Sequence, residues 1–201
     1  SGGHTELVLI KKPFKYKVIG KTRDDAAGEA FDKIARLLDL PYPGGPAIAA
    51  KAAKLKMKNE KLKNKFPRPM IDSNNIDFSF SRLKTAVLYY LKKHPKASKA
   101  MIAHEVQEAI IDVLVEKTKR AAGHFGVKTI LLGGGVAANE ELRKRLESLT
   151  TNHLLLTTPV ALATDNAAMI ALTGYLRFMA GKTDDWYNIK ANPNLKLETK
   201  H

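Results

Sequence analysis

The sequence predicts an α/β fold that carries a large helical block, and three patterns predict it. Glu6-Leu7-Val8-Leu9-Ile10 and Tyr16-Lys17-Val18-Ile19 are strand-like runs near enough to pair as a hairpin. Strand-like and helical segments alternate after residue 125. Between residues 47 and 124 the pattern is mainly helical. Three segments follow from this: 1–46 with the hairpin and a helix, 47–124 as a helical insertion, and 125–201 as an α/β part with a tail.

With 201 residues, 44% of them hydrophobic, the chain can bury a substantial core in one large or two small domains. No apolar run approaches the ~20 residues that cross a bilayer, and no signal-peptide pattern opens the chain. The absence of cysteine removes disulfides and thiolate-ligated zinc, and is compatible with a reducing cytosol. A net charge of +14 points to a polyanionic partner, nucleic acid first and an anionic membrane second.

Ser1-Gly2-Gly3-His4-Thr5 has the composition of a turn whose N–H groups can face a phosphate. A natural domain rarely opens on such a loop without a preceding strand, so the chain is expected to come from something longer. Asp24 is placed to cap a helix over Ala26–Leu38. From its start, Asp25, Glu29 and Asp32 stand at i, i+4 and i+7 and are expected to share one face. Their mutual repulsion is relieved either by a bound group or by Lys33 and Arg36. Pro41-Tyr42-Pro43-Gly44-Gly45-Pro46 is expected to end the segment in a turn.

Residues 51–65 carry seven lysines and one glutamate, so +6 lies here and +8 on the remainder. The stretch suits a solvated surface helix or a set of phosphate contacts, with Lys54, Lys58, Lys61 and Lys65 as the candidates for a nucleic acid. Lys92, Lys93, Lys96, Lys99, Lys117, Lys119 and Arg120 add to the basic character of the helical block. Phe66-Pro67-Arg68-Pro69-Met70 reads as a rigid connector. Asp77-Phe78-Ser79-Phe80-Ser81 reads as an aromatic turn before a helix from Leu83 to Lys93, broken at His94-Pro95. A longer helix over Ser98–His124 presents Ile102, Val106, Ala109, Val113 and Leu114 as an apolar stripe. His104-Glu105 lacks the second histidine of a zinc-protease helix, because position 108 is Glu108.

Thr129–Leu132 is expected to be a strand buried on both faces. Gly133, Gly134 and Gly135 then allow positive φ and close approach of a ligand to the main chain, although an ordinary strand–loop–helix corner has the same pattern. Asn139 is a good N-cap, Glu140 and Glu141 suit the first turn, and Leu142, Leu146 and Leu149 share a face. His153–Thr158 reads as another strand closed by Pro159. Thr164 is expected to cap a helix from Asp165-Asn166 to Ala180, with Gly181 as its stop.

Taken in order, Ser1–Thr5, Asp24–Lys33, Pro43–Pro46, Phe66–Met70, Asp77–Ser81, Gly133–Asn139 and Thr164–Ala171 resemble the bacterial and organellar TsaD family. That family comprises the tRNA N6-adenosine threonylcarbamoyltransferases, once described as O-sialoglycoprotein endopeptidases. The resemblance covers nearly the whole chain. It implies an ASKHA fold, the actin-like and sugar-kinase-like architecture, of which this chain would be the second lobe with a helical insertion. It also implies transfer of the threonylcarbamoyl group of threonylcarbamoyl-AMP to the exocyclic amine of the adenosine 3′ of the anticodon.

By the same resemblance, Ser1, Gly2 and Gly3 would lie at a phosphate, Asp32 and Gly45 would hold the nucleoside, and Gly134, Gly135 and Asn139 would contact adenosine. Asp165 would be a ligand of one divalent metal ion, iron or zinc, in the complete enzyme. No catalytic residue is assigned. The implied ligand is an adenine nucleotide or threonylcarbamoyl-AMP. The implied partners are tRNA and TsaB-like and TsaE-like proteins, with no membrane, in the cytoplasm or in a eukaryotic organelle.

Two features depart from the family. The His-x-x-x-His pair that completes its metal site is absent from this chain, and Arg82 stands where glycine usually follows Phe-Ser-Phe-Ser. An isolated lobe is therefore expected to bind nucleotide and metal weakly. A non-catalytic ASKHA scaffold is the alternative; retention of Asp32, Asn139 and Asp165 argues against it. A metalloprotease is a weaker third reading, without a His-Glu-x-x-His helix.

Overall fold

A computed structural model describes residues 3–55, 66–149, 153–192 and 197. Ser1, Gly2, Lys58, Lys61 and Lys65 lie outside the described residues.

The predicted hairpin forms. Strand β1 (Glu6–Lys12) pairs antiparallel with β2 (Lys15–Lys21), Leu9 opposite Lys17 and Ile10 opposite Tyr16. Beyond β2, Thr22 forms an isolated bridge with Phe78, which ties the hairpin to the aromatic turn. At Gly20 a Cβ would overlap the Ile76 carbonyl, so only glycine lets β2 run this close to the 70s loop.

Helix α1 (Ala27–Leu37) buries Ala27, Ala30, Phe31, Ile34 and Ala35 on one face. Its N-cap is Ala26 rather than Asp24: the Glu29 carboxylate reaches back to the Ala26 N–H at 2.9 Å. Asp24 is instead used at the start of α3 (Ser81–Lys93), across 55 or more residues of chain. It accepts from Ser79 Oγ at 2.5 Å, Phe80 N at 2.8 Å, Ser81 N at 3.3 Å and Ser81 Oγ at 2.7 Å. Burial pushes the Asp24 carboxyl up, but the donors from Ser79, Phe80 and Ser81 outweigh it and hold the group below the usual aspartate value.

The first helix ends before the proline-glycine run, as expected, but the run also opens the next one. Gly44, Gly45 and Pro46 form the first turn of α2 (Gly44–Ala53), where proline is tolerated because an N–H there has no intrahelical partner. The long helix α4 (Lys99–Phe125) starts at Ser98, whose Oγ accepts from Met101 N, and stops at Gly126 in the left-handed region with φ 59°. Its Ile102, Val106, Ala109, Ile110 and Val113 join α1, α2, α3, Phe66, Phe78 and Phe80 in one continuous core. The connector Phe66–Met70 thus supplies a buried ring, stacked edge-on against Tyr90.

One lysine of the basic set belongs to this interior. Lys117 is fully buried, and its ammonium donates to Ser73 O, Ser73 Oγ at 2.8 Å and Asn75 O at 2.6 Å. Desolvation, with the charge of Arg120 nearby, pushes it below the usual lysine value. Arg120 itself donates to Ser73 O and Glu116. Both count toward the basic character of the helical block in sequence, but they are used inside the fold, where they hold the 70s loop onto α4.

Strand β3 (Thr129–Leu132) runs parallel to β4 (Leu154–Thr157), with Thr129 beside Leu154 and Leu132 beside Thr157. Helix α5 (Glu140–Leu149) connects them and covers one face, where Leu142, Leu146 and Ile111 pack with Leu132 and Leu155. The other face is bare: Leu131 is 61% exposed and Leu154 58%. Burial of β3 on both faces is therefore not observed. Helix α6 (Ala167–Met179) is capped by Asn166, whose Oδ1 accepts from Met169 N at 3.0 Å, and not by Thr164. It buries none of its residues. No helix among the described residues is long and apolar enough to cross a membrane.

Candidate nucleotide-binding site

Only Glu29 and Asp32 of the expected row lie on α1; Asp25 precedes its N-cap, and each of the three carboxylates has a partner of its own. Asp25 pairs with Lys33 at 2.5 Å, Glu29 caps Ala26, and Asp32 Oδ1 accepts from Gly44 N at 2.7 Å. The hydrogen bond to Asp25 raises the Lys33 ammonium above its usual value. No bound group is needed to relieve the row. Asp32 nevertheless keeps a carboxylate oxygen, Oδ2, without a partner among the described residues.

The contact between Asp32 and Gly44 sets the approach of α2 to α1. A Cβ on Gly44 would lie 2.6 Å from Asp32 Cα, 2.7 Å from the Phe31 carbonyl oxygen and 2.8 Å from Ala35 Cβ. Gly45, one residue on, has nothing within 4 Å of its Cβ position. A free carboxylate oxygen thus adjoins a helix N-terminus with open space above its main chain, which suits a hydroxyl-bearing ligand.

The glycine loop is built as expected from small residues and one positive φ. Gly134 has φ 88° and ψ 169°, and a 3-10 turn over Gly135–Ala138 follows. Asn139 then caps α5, its Oδ1 accepting from Leu142 N at 3.1 Å. Its Nδ2 donates to Oε1 of the buried Gln107 on α4 at 3.1 Å. Val136 packs against both hydrophobic clusters, and the 3-10 turn touches α1. The loop and the helix bearing Asp32 are therefore neighbours.

Several supporting residues were not singled out from sequence. Arg143 staples the loop to β4: it donates to Ala137 O at 2.5 Å and to Thr158 O at 2.7 Å. Arg145 gathers Glu108, Asp112 and Glu141, and Arg68 reaches Asp112 from the other side at 2.9 Å. Burial lowers the basicity of Arg145, but Glu108 and Asp112 more than restore it. Thr5 Oγ1 accepts from Ala27 N at 2.9 Å, which fixes the chain after Gly3 at the start of α1. Only Thr5, inside the Ser-Gly-Gly-His-Thr run, carried a sequence signal; Gln107, Arg143 and Arg145 become visible once the helices are placed.

Gly3 has open space around it, and Asp165 is exposed ahead of α6. No group of three or more His, Asp or Glu side chains able to hold a metal ion occurs among the described residues. By itself the exposed Asp165 does not make an iron or zinc site, which takes three or four protein ligands. Lys54 is exposed at the end of α2.

The profile of the family described as TsaD, tRNA N6-adenosine threonylcarbamoyltransferase, matches residues 1–172. The chain belongs to this family. The curated protein of that name from Thermosipho africanus is 49% identical over 98% of the chain, and that from Listeria innocua 46% identical over 98%. The one from Thermotoga neapolitana is 45% identical over 98%. The chain spans 59%, 58% and 59% of those relatives' lengths, matching their C-terminal part. Among solved structures, HypF of T. kodakarensis aligns with a TM-score of 0.55 at 24% identity, over 79% of this chain and 20% of that one. That likeness concerns the fold alone.

Proposed function

We propose that this chain is the second lobe of an ASKHA-type enzyme that transfers a threonylcarbamoyl group to tRNA. In the reaction, the exocyclic amine of adenosine attacks the carbamoyl carbonyl of threonylcarbamoyl-AMP. A C–N bond forms, the bond to the phosphate oxygen of AMP breaks, and the amine loses a proton. This chain's part is to bind and orient. Asp32 Oδ2 would accept from a ribose hydroxyl, the main chain at Gly45 and Gly134–Gly135 would lie against the nucleoside, and Gly3 would approach the phosphate. The observation that carries the reading is the pairing of an open glycine main chain at Gly45 with the unpartnered oxygen of Asp32, beside the Gly134 loop. Asp165 would give one ligand to a metal, and no step is assigned to that ion. TsaB-like and TsaE-like proteins and a cytoplasmic setting complete the proposal.

The scaffold alternative gains from one finding. Asp32 and Asn139 both have structural partners, Gly44 and Gln107, so their presence does not by itself require a ligand. A chimera separates the two. This chain replaces the matching part of the Listeria innocua relative, and threonylcarbamoyladenosine is measured in tRNA by mass spectrometry. The transferase reading expects the modified nucleoside, and its loss in Asp32→Ala. A folded chimera that leaves tRNA unmodified refutes it.

A further inference from the structure

We propose that the corner between α3 and α4 seats one unpaired nucleobase of an RNA strand, with the flanking phosphates on lysines around it. The inference rests on the tRNA reading above and adds a contact surface to it.

The charge is one-sided. Residues 81–104 contain Arg82, Lys84, Lys92, Lys93, Lys96 and Lys99 and not one carboxylate. Lys99 is engaged by Asp39 at 2.8 Å, whereas Lys92, Lys93 and Lys96 are exposed and form no ion pair among the described residues. A solvated helix face alternates its signs; here, among the described residues, only Lys99 has an acidic partner.

Within the cations lies a cavity of about 380 Å³ lined by Tyr90, His94, Pro95, Lys96, Ala97 and Met101. That is at the small end of ligand sites, which run from about 300 Å³. One wall is aromatic: the Tyr90 and His94 rings have centroids 4.6 Å apart, and Tyr90 is braced from behind by the buried Phe66 at 5.5 Å. The backbone of the corner is fixed by hydrogen bonds from His94 N to Tyr90 O and from Ala97 N to His94 O. A shallow, open apolar depression with an aromatic wall and a cationic rim is the arrangement that binds single strands: the π-face takes a base and the lysines track the backbone. Anionic membranes would use the lysines but have no aromatic plane to place against this wall, and an acidic peptide would need an aromatic side chain beside its carboxylates.

The test is fluorescence anisotropy of the 201-residue chain with a labelled oligouridylate and with a duplex RNA of equal length, over a salt series. The single strand is expected to bind more tightly. Replacing Lys92, Lys93 and Lys96 by glutamine should reduce the salt slope by about 2, at roughly 0.7 per phosphate contact. His94→Ala should weaken binding about ten-fold with the slope unchanged, and His94→Phe should restore it, since His94 is exposed and its ring alone is in question. The proposal is overturned by equal binding of strand and duplex, by an unchanged slope in the triple variant, or by phosphatidylserine vesicles or polyglutamate displacing the strand. If the chimera modifies tRNA while these variants bind RNA like the parent, the corner fails and the transferase reading stands. If the variants behave as expected but the chimera is inactive, the reverse holds.

Discussion

Adjacent glycines at 44 and 45 should respond to alanine with opposite signs. At Gly44 the added methyl meets Asp32 Cα at 2.6 Å, the Phe31 carbonyl at 2.7 Å and Ala35 Cβ at 2.8 Å. Two of these are backbone atoms of a packed helix, so α2 has to move off α1. Overpacking of this kind costs about 1–3 kcal/mol. Displacing Gly44 N from Asp32 Oδ1 adds about 1 kcal/mol for the lost hydrogen bond. A total of roughly 2–4 kcal/mol corresponds to a fall in Tm of about 4–16 °C for a chain of this size. Gly45→Ala meets no atom within 4 Å and replaces glycine inside a helix, a gain of up to about 1 kcal/mol. Urea melts followed by far-UV circular dichroism, fitted with a common m-value, measure both. A Gly44→Ala variant as stable as the parent, or a Gly45→Ala variant less stable by more than about 1 kcal/mol, would refute the close approach of α1 and α2.

The Asp24 carboxyl is held below its usual value in the folded state, so its stabilisation is present above the unfolded pKa of 3.8 and fades as pH falls through the lowered folded value. Asp24→Asn should cost about 1–2 kcal/mol at neutral pH, discounted for the exposure of this residue, and should flatten the acid limb of a stability–pH curve; an unchanged acid limb contradicts the capping of α3 by Asp24. The bare face of β3 and β4 should bind anilinonaphthalene sulfonate in the isolated chain. Leu131→Thr with Leu156→Thr should reduce that signal and shift stability by about 0.5 kcal/mol or less, and a loss above about 2 kcal/mol would show that the face is packed.

Sequence by itself determined the local devices. The hairpin, the helices and the glycine loop follow from apolar period and from a cap such as Asn139, because these act over a few residues and leave a readable spacing. The family was legible for a different reason: seven motifs keep their order along the chain. Tertiary structure decided where the polar side chains are used. Asp24 looked like a cap for the helix beside it, yet its oxygens meet the start of α3, since a carboxylate goes to whichever bare N–H groups the fold brings nearest. Lys117 looked like one more surface cation until α4 turned it into the interior, where the 70s loop supplies three oxygens. The carboxylates Asp25, Glu29 and Asp32 looked like a ligand site, and only packing showed that Lys33, Ala26 and Gly44 already engage them, leaving one oxygen of Asp32 without a partner among the described residues. Such pairings join residues far apart in sequence, and neither periodicity nor propensity carries a trace of them.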